Sequence, residues 1–178
     1  SGRSVLEYPY PCVDEVFMRL EKRIGRELTR HSLSLCTAES CTGGLVAGRI
    51  TSISGSSGYF EGGFITYSNT AKNFLVGVPK DVLERHGAVS RETALRMAEG
   101  AREKLDTDMS VAVTGIAGPT GGAPDKPVGT VYIAVARKDK TSVRKFQFTG
   151  TRHSIRRQTT VEALKFVLDE IEAWVGKT

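Results

Sequence analysis

The sequence predicts an α/β fold in which a central mixed β-sheet carries helices on both faces. Two observations carry this reading. The apolar pattern switches between a period near 3.6 and a period of 2, giving the order helix, strand, helix, strand, helices, strand, strand, strand, helix. One strand, Thr130–Ala136, is almost continuously apolar, the pattern of a strand buried on both faces.

Residues 1–12, with Pro9 and Pro11, read as an extended arm, and residues 13–178 as one domain. From Val13 to about Thr29 the residues Val13, Val16, Phe17, Leu20, Ile24 and Leu28 recur at three and four, an amphipathic helix. Leu33–Ala38 alternates as a strand and leads through a turn at 39–44 into a helix at Leu45–Thr51. A Gly/Ser loop, Ser54–Gly58, precedes a strand over Tyr59–Thr66, where Gly62 and Gly63 predict a bend or bulge. Thr70–Leu75 reads as helix. Lys80–His86 reads as another, opened by Pro79 and stopped by Gly87. Ser90 caps a helix over Arg91–Leu105, with Ala94, Met97, Ala98, Ala101 and Leu105 on its apolar face. Met109–Thr114 is a strand and Gly115–Gly129 a loop rich in Gly and Pro. Thr130–Ala136 then pairs with Val143–Phe148 as a hairpin. The last helix, about Arg152 to Trp174, buries Val161, Leu164, Val167, Leu168, Ile171 and Trp174. The runs least like core, 39–44, 67–72 and 114–122, each follow a strand. In open α/β sheets such loops gather at the carboxyl ends of strands, where ligands bind.

Composition narrows the class of function. Hydrophobic residues at 39% and charged residues at 25% suit a globular domain with a real core. No apolar run approaches the roughly 18 residues of a membrane span, and no secretory signal is visible. Three cysteines, Cys12, Cys36 and Cys41, have no zinc-type spacing and point to a reduced, cytoplasmic compartment. The net charge of +5 favours an anionic ligand. The basic residues form no polybasic block, so neither nucleic acid nor membrane is expected as a partner.

Several segments could carry chemistry. Ser40 lies between a strand and a helix, where free N–H groups and the helix dipole stabilise negative charge. It reads either as an ordinary N-cap or as a nucleophile beside an oxyanion hole. A serine nucleophile needs a base. His31 and His86 end helices and His153 starts one, so a Ser-His-Asp arrangement is weak. Lys72, in Tyr67-Ser68-Asn69-Thr70-Ala71-Lys72, is an alternative base if burial beside other cations lowers its pKa, and Tyr67 could relay the proton. The same residues also read as a solvated lysine and a core aromatic. Cys41 ranks below Ser40 because no histidine partner is near in sequence. Thr114–Gly122 matches neither a P-loop nor a dinucleotide fingerprint, and is either a surface loop or a phosphate-lining one. Ser56, Ser57, Arg152, Arg156 and Arg157 could contact a phosphate, with Arg152 and Arg156 on one helix face.

Four segments in series, AESCTGG at 38–44, YSNTAK at 67–72, GIAGPTGG at 115–122 and KPVGT at 126–130, closely resemble the CinA C-terminal domain family. This is the family of nicotinamide-nucleotide amidohydrolases, or NMN deamidases, and the resemblance runs from Val13 to Trp174. It implies a three-layer α/β/α sandwich and a homo-oligomer, a dimer or trimer. The implied reaction hydrolyses nicotinamide mononucleotide without metal or cofactor. The resemblance casts Ser40, Tyr67 and Lys72 as catalytic residues of a Ser-Lys type mechanism and Arg152 as a substrate-binding residue. Thr42, Gly43, Gly44, Asn69, Gly118 and Arg156 complete the expected binding set. Larger relatives carry a preceding domain similar to molybdopterin-binding proteins, whose pyrophosphatase activity is not expected here. The alternative is a non-catalytic nucleotide-binding module acting through a protein partner in competence or DNA repair.

Overall fold

The computed structural model describes residues 15–176. The expected arm at residues 1–12, and the first residues of the expected first helix, lie outside that range. Three parallel strands form the heart of the sheet: β1 (Leu35–Glu39), β2 (Phe60–Ile65) and β3 (Met109–Gly115). The antiparallel β4 (Thr130–Arg137) and β5 (Thr141–Gln147) extend it as the expected hairpin. The order across the sheet is β2-β1-β3-β4-β5. Strand boundaries shift by one or two residues from those expected, and β1 ends at Glu39 rather than at Ala38.

The helices are α1 (Glu15–Arg30), α2 (Leu45–Thr51), α3 (Asn69–Val76), α4 (Lys80–His86), α5 (Arg91–Leu105) and α6 (Arg152–Val175). Side-chain alternation along the strands assigns them to two layers. Leu35, Val111, Val113, Val131, Ile133 and Val135 face α1, α2 and α6. Cys36, Ala38, Ala112, Ala134 and Ala136 face α3, α4 and α5. The second face is built from small residues, so α5 lies close against it through Ala94, Met97, Ala98 and Ala101. The result is the three-layer α/β/α arrangement, with β4 buried along almost its whole length.

One contact fixes α3, the helix that matters most below. Gly100 of α5 abuts the end of α3 so closely that a β-carbon there would sit 1.7 Å from the Val76 carbonyl oxygen. Gly100→Ala forces the two helices apart and is expected to destabilise the fold by about 3 kcal/mol. A thermal melt should show a Tm lower by roughly 6–12 °C for a chain of this size.

Among the described residues no helix is long and apolar enough to cross a membrane.

Candidate active site

Because β1, β2 and β3 are parallel, their carboxyl ends lie at one edge of the sheet. The loops after them meet there, together with the segment that enters α6. After Glu39 the chain makes a tight turn. The Gly43 N–H donates to the Ser40 carbonyl at 3.1 Å, and the Ser40 N–H donates to the Val113 carbonyl of β3 at 3.0 Å. Gly43 and Gly44 hold φ of 59° and 101°, left-handed values that favour glycine. Ser40 is 8% exposed.

Parallel pairing brings the base to the serine. Glu39 lies opposite Ile65, so the residues that follow the two strands, Ser40 and Thr66, are neighbours. Ser68 caps α3 by accepting the Ala71 N–H at 3.0 Å. Lys72, one turn in, sends its side chain back toward the strand ends. Its Nζ lies 3.0 Å from Ser40 Oγ, 2.8 Å from the Thr66 carbonyl and 3.4 Å from the Tyr67 carbonyl. The residue is 1% exposed, and no carboxylate is among its hydrogen-bond partners. Burial lowers its pKa from the usual 10.5 to about 8, with Cys41 opposing the shift. The cause is desolvation, not the neighbouring cations expected from the sequence. A neutral amine has two N–H bonds and one lone pair. It can donate to both carbonyls and accept the hydroxyl proton of Ser40, which matches the three partners present.

The other expected site residues divide. Arg152, at the start of α6, donates from Nη1 to the Gly118 carbonyl at 2.9 Å and from Nη2 to the Tyr67 hydroxyl at 2.9 Å. It ties the loop after β2 to the loop after β3. Tyr67 is 60% exposed, not a core aromatic; its carbonyl, rather than its hydroxyl, is bonded to Lys72. Arg156 is turned inward, donating to the carbonyls of Cys41 at 3.0 Å and Thr42 at 2.9 Å. The structure therefore corrects the pairing of Arg152 and Arg156 as a phosphate clamp: Arg156 braces the nucleophile turn.

Other residues singled out in the sequence lie in different surroundings. Gly43 and Gly44 belong to the expected binding set, yet their amides are bonded to the Ser40 carbonyl and to Glu39 Oε2. Ser56 and Ser57 precede β2 and so lie at the opposite end of the sheet. Arg157 lines a separate groove with Phe148 and His153. Asn69, at the first turn of α3, lines a cleft with Phe74 and Leu83. Cys41 is no rival nucleophile, because burial pushes its thiol up to about 12 and keeps it protonated at neutral pH.

Sequence reasoning missed Glu39, whose carboxylate accepts the N–H groups of Gly44, Val46 and Ala47 at 3.0, 3.0 and 2.8 Å. Its spacing to α2 is not that of a capping box, so no local signal marked it. With those groups engaged, the Cys41 and Thr42 amides are the N–H groups of the turn that meet no acceptor in another residue.

The family profile of the CinA C-terminal domain matches residues 18–171. The chain belongs to that family. It is 50% identical over 172 residues to a CinA-like protein of Geotalea daltonii, covering 97% of this chain and 40% of that protein. It thus spans less than half the length of that relative. The solved structure of a competence/damage inducible protein from Agrobacterium tumefaciens is 41% identical, with a TM-score of 0.86 over 90% of this chain and 98% of that one. A CinA superfamily protein from Escherichia coli is 31% identical, with a TM-score of 0.83 over 94% and 98% of the two chains. In this CinA domain all four resembling segments fall at or beside the carboxyl edge of the sheet. The last of them is held there by Lys126, which donates to the His86 carbonyl at 2.8 Å.

Proposed function

We propose that this domain hydrolyses the carboxamide of nicotinamide mononucleotide to nicotinate mononucleotide and ammonia, as part of pyridine nucleotide recycling. The supporting observation is the 3.0 Å contact between the Ser40 hydroxyl and a buried lysine whose pKa is lowered to about 8. Lys72 takes the hydroxyl proton as Ser40 Oγ attacks the amide carbon. The carbonyl oxygen becomes an oxyanion within reach of the Cys41 and Thr42 N–H groups, which are bonded to no other residue. Lys72 returns the proton to the leaving nitrogen, and ammonia departs. Water, deprotonated by the same amine, then cleaves the Ser40 ester and releases the carboxylate product. No step requires a metal.

A coupled assay of ammonia release from nicotinamide mononucleotide tests this directly, and turnover that depends on Ser40 is the expected result. Tight binding of the nucleotide without ammonia would support the binding-module reading instead.

Arg152 stands at the mouth of the site, bridging Gly118 and Tyr67, and is the proposed partner of the substrate phosphate. Arg152→Ala is expected to raise KM for the mononucleotide about 10- to 100-fold. The corresponding riboside, which has no phosphate, should lose far less in kcat/KM when assayed in parallel.

A further inference from the structure

We propose that Glu39 is a positioning residue for the nucleophile: its buried carboxylate holds the Ser40 turn shut, with the Cys41 and Thr42 N–H groups of that turn bonded to no other residue and placed for the oxyanion. The inference rests on the reading of Ser40 as nucleophile and extends it to a residue that does not touch substrate.

The support is the hydrogen bonding of the backbone groups in the turn. The carbonyls of Ser40, Cys41 and Thr42 are engaged. Ser40 accepts from Gly43, Cys41 from Arg156, and Thr42 from both Arg156 and Leu45. The Ser40 amide is bonded to β3, the Gly43 amide to Ser40, and the Gly44 amide to Glu39. What remains is the amide pair of Cys41 and Thr42, immediately after the nucleophile, which is where acyl transfer needs donors.

Glu39 anchors the far end of the turn. It is 1% exposed and the last residue of β1, so its backbone is fixed by pairing to both β2 and β3. Its side chain spans the turn and binds the first amides of α2. The turn is thereby closed covalently through residues 40–43 and non-covalently through the carboxylate. Gly44, the N-cap of α2, makes no side-chain cap bond. The cap comes instead from the residue that carries Ser40, so the position of α2 and the aim of Ser40 are set by one side chain. The same carboxylate fills the start of α2 and keeps other anions from those amides. This accounts for placing the substrate phosphate at Arg152, not at this helix.

The test compares wild type, Glu39→Gln and Glu39→Ala for the rate at which Ser40 reacts with a fluorophosphonate. The reaction forms an Oγ–P bond and expels fluoride, the hydroxyl proton passing to Lys72. Mass spectrometry reads the labelling rate, circular dichroism the fold, and ammonia release kcat and KM. Labelling and kcat are expected to fall together, about 100-fold in Glu39→Ala and about 10-fold in Glu39→Gln, with KM within about threefold of wild type. The partial rescue by Gln follows because its carbonyl oxygen still accepts part of the set while its NH2 meets an amide that it cannot accept. A folded Glu39→Ala protein that is labelled within threefold of the wild-type rate overturns the proposal. If that variant does not fold, the same result for Glu39→Gln overturns it. Wild-type protein that is labelled at Ser40 but releases no ammonia overturns the substrate assignment, and the labelling rates still decide the role of Glu39.

Discussion

Ser40→Ala is expected to lower ammonia release from nicotinamide mononucleotide by a factor of about 10⁴ or more while leaving the circular dichroism spectrum unchanged. The magnitude follows from what the hydroxyl does. It forms the bond that divides amide hydrolysis into two easier steps, and nothing beside it can take over. The adjacent Cys41 thiol, pushed up to about 12, offers almost no thiolate at neutral pH. Whatever activity survives would come from the amides of the turn and from binding, which do not need the nucleophile. The fold should tolerate the change, because Lys72 keeps its bonds to the carbonyls of Thr66 and Tyr67. Variant activity near that of wild type would remove Ser40 from the mechanism.

Lys72→Met should show the second large effect, and its two consequences should have opposite signs. Activity should fall by at least about 10³, because the base and the proton return to ammonia both vanish. Stability should hold or rise. At pH 7 the folded chain carries a buried ammonium that solvent would accommodate better. The drop from 10.5 to about 8 corresponds to roughly 3 kcal/mol of cost to folding. Methionine fills a similar volume without that charge. The sign can be checked against pH. Between about 8 and 10.5 the unfolded chain binds more protons at this lysine than the folded one does. Wild-type stability contributed by this group therefore rises with pH across that window. The advantage of Lys72→Met seen below pH 8 should shrink over the same interval. Denaturant midpoints at pH 7 and at pH 10 measure this. A methionine variant that is less stable than wild type at pH 7 would mean that the buried amine supports the fold more than it strains it.

The layered fold was legible because alternation and helical periodicity are burial patterns. The apolar face of α5 and the doubly buried β4 follow directly from them. The meeting of the three polar loops followed from the parallel direction of their strands. The proximity of Ser40 and Lys72, 32 residues apart, depends on the β1–β2 register, which no local pattern specifies. The same limit hid Glu39, since a carboxylate beside a serine looks alike whether it faces solvent or doubles back onto α2. Arg152 and Arg156 share a helix face in sequence, yet one reaches Gly118 and Tyr67 while the other reaches the carbonyls after Ser40. Four residues of helical spacing are enough to separate a group at the mouth of the site from one that braces its floor. Ser56 and Ser57 were misplaced because adjacency to a strand does not tell which end of the sheet a loop occupies.

The central claim is that a buried, deprotonated Lys72 activates Ser40, and the pH dependence of Ser40 labelling by a fluorophosphonate tests it without reference to any substrate. The rate should climb about tenfold per pH unit below the lysine pKa and level off above about 8, as the ammonium gives up its proton. The Lys72→Met protein should show no such limb. A wild-type rate that is flat from pH 6 to 10, or one that rises only near the ordinary lysine value of 10.5, would contradict the account.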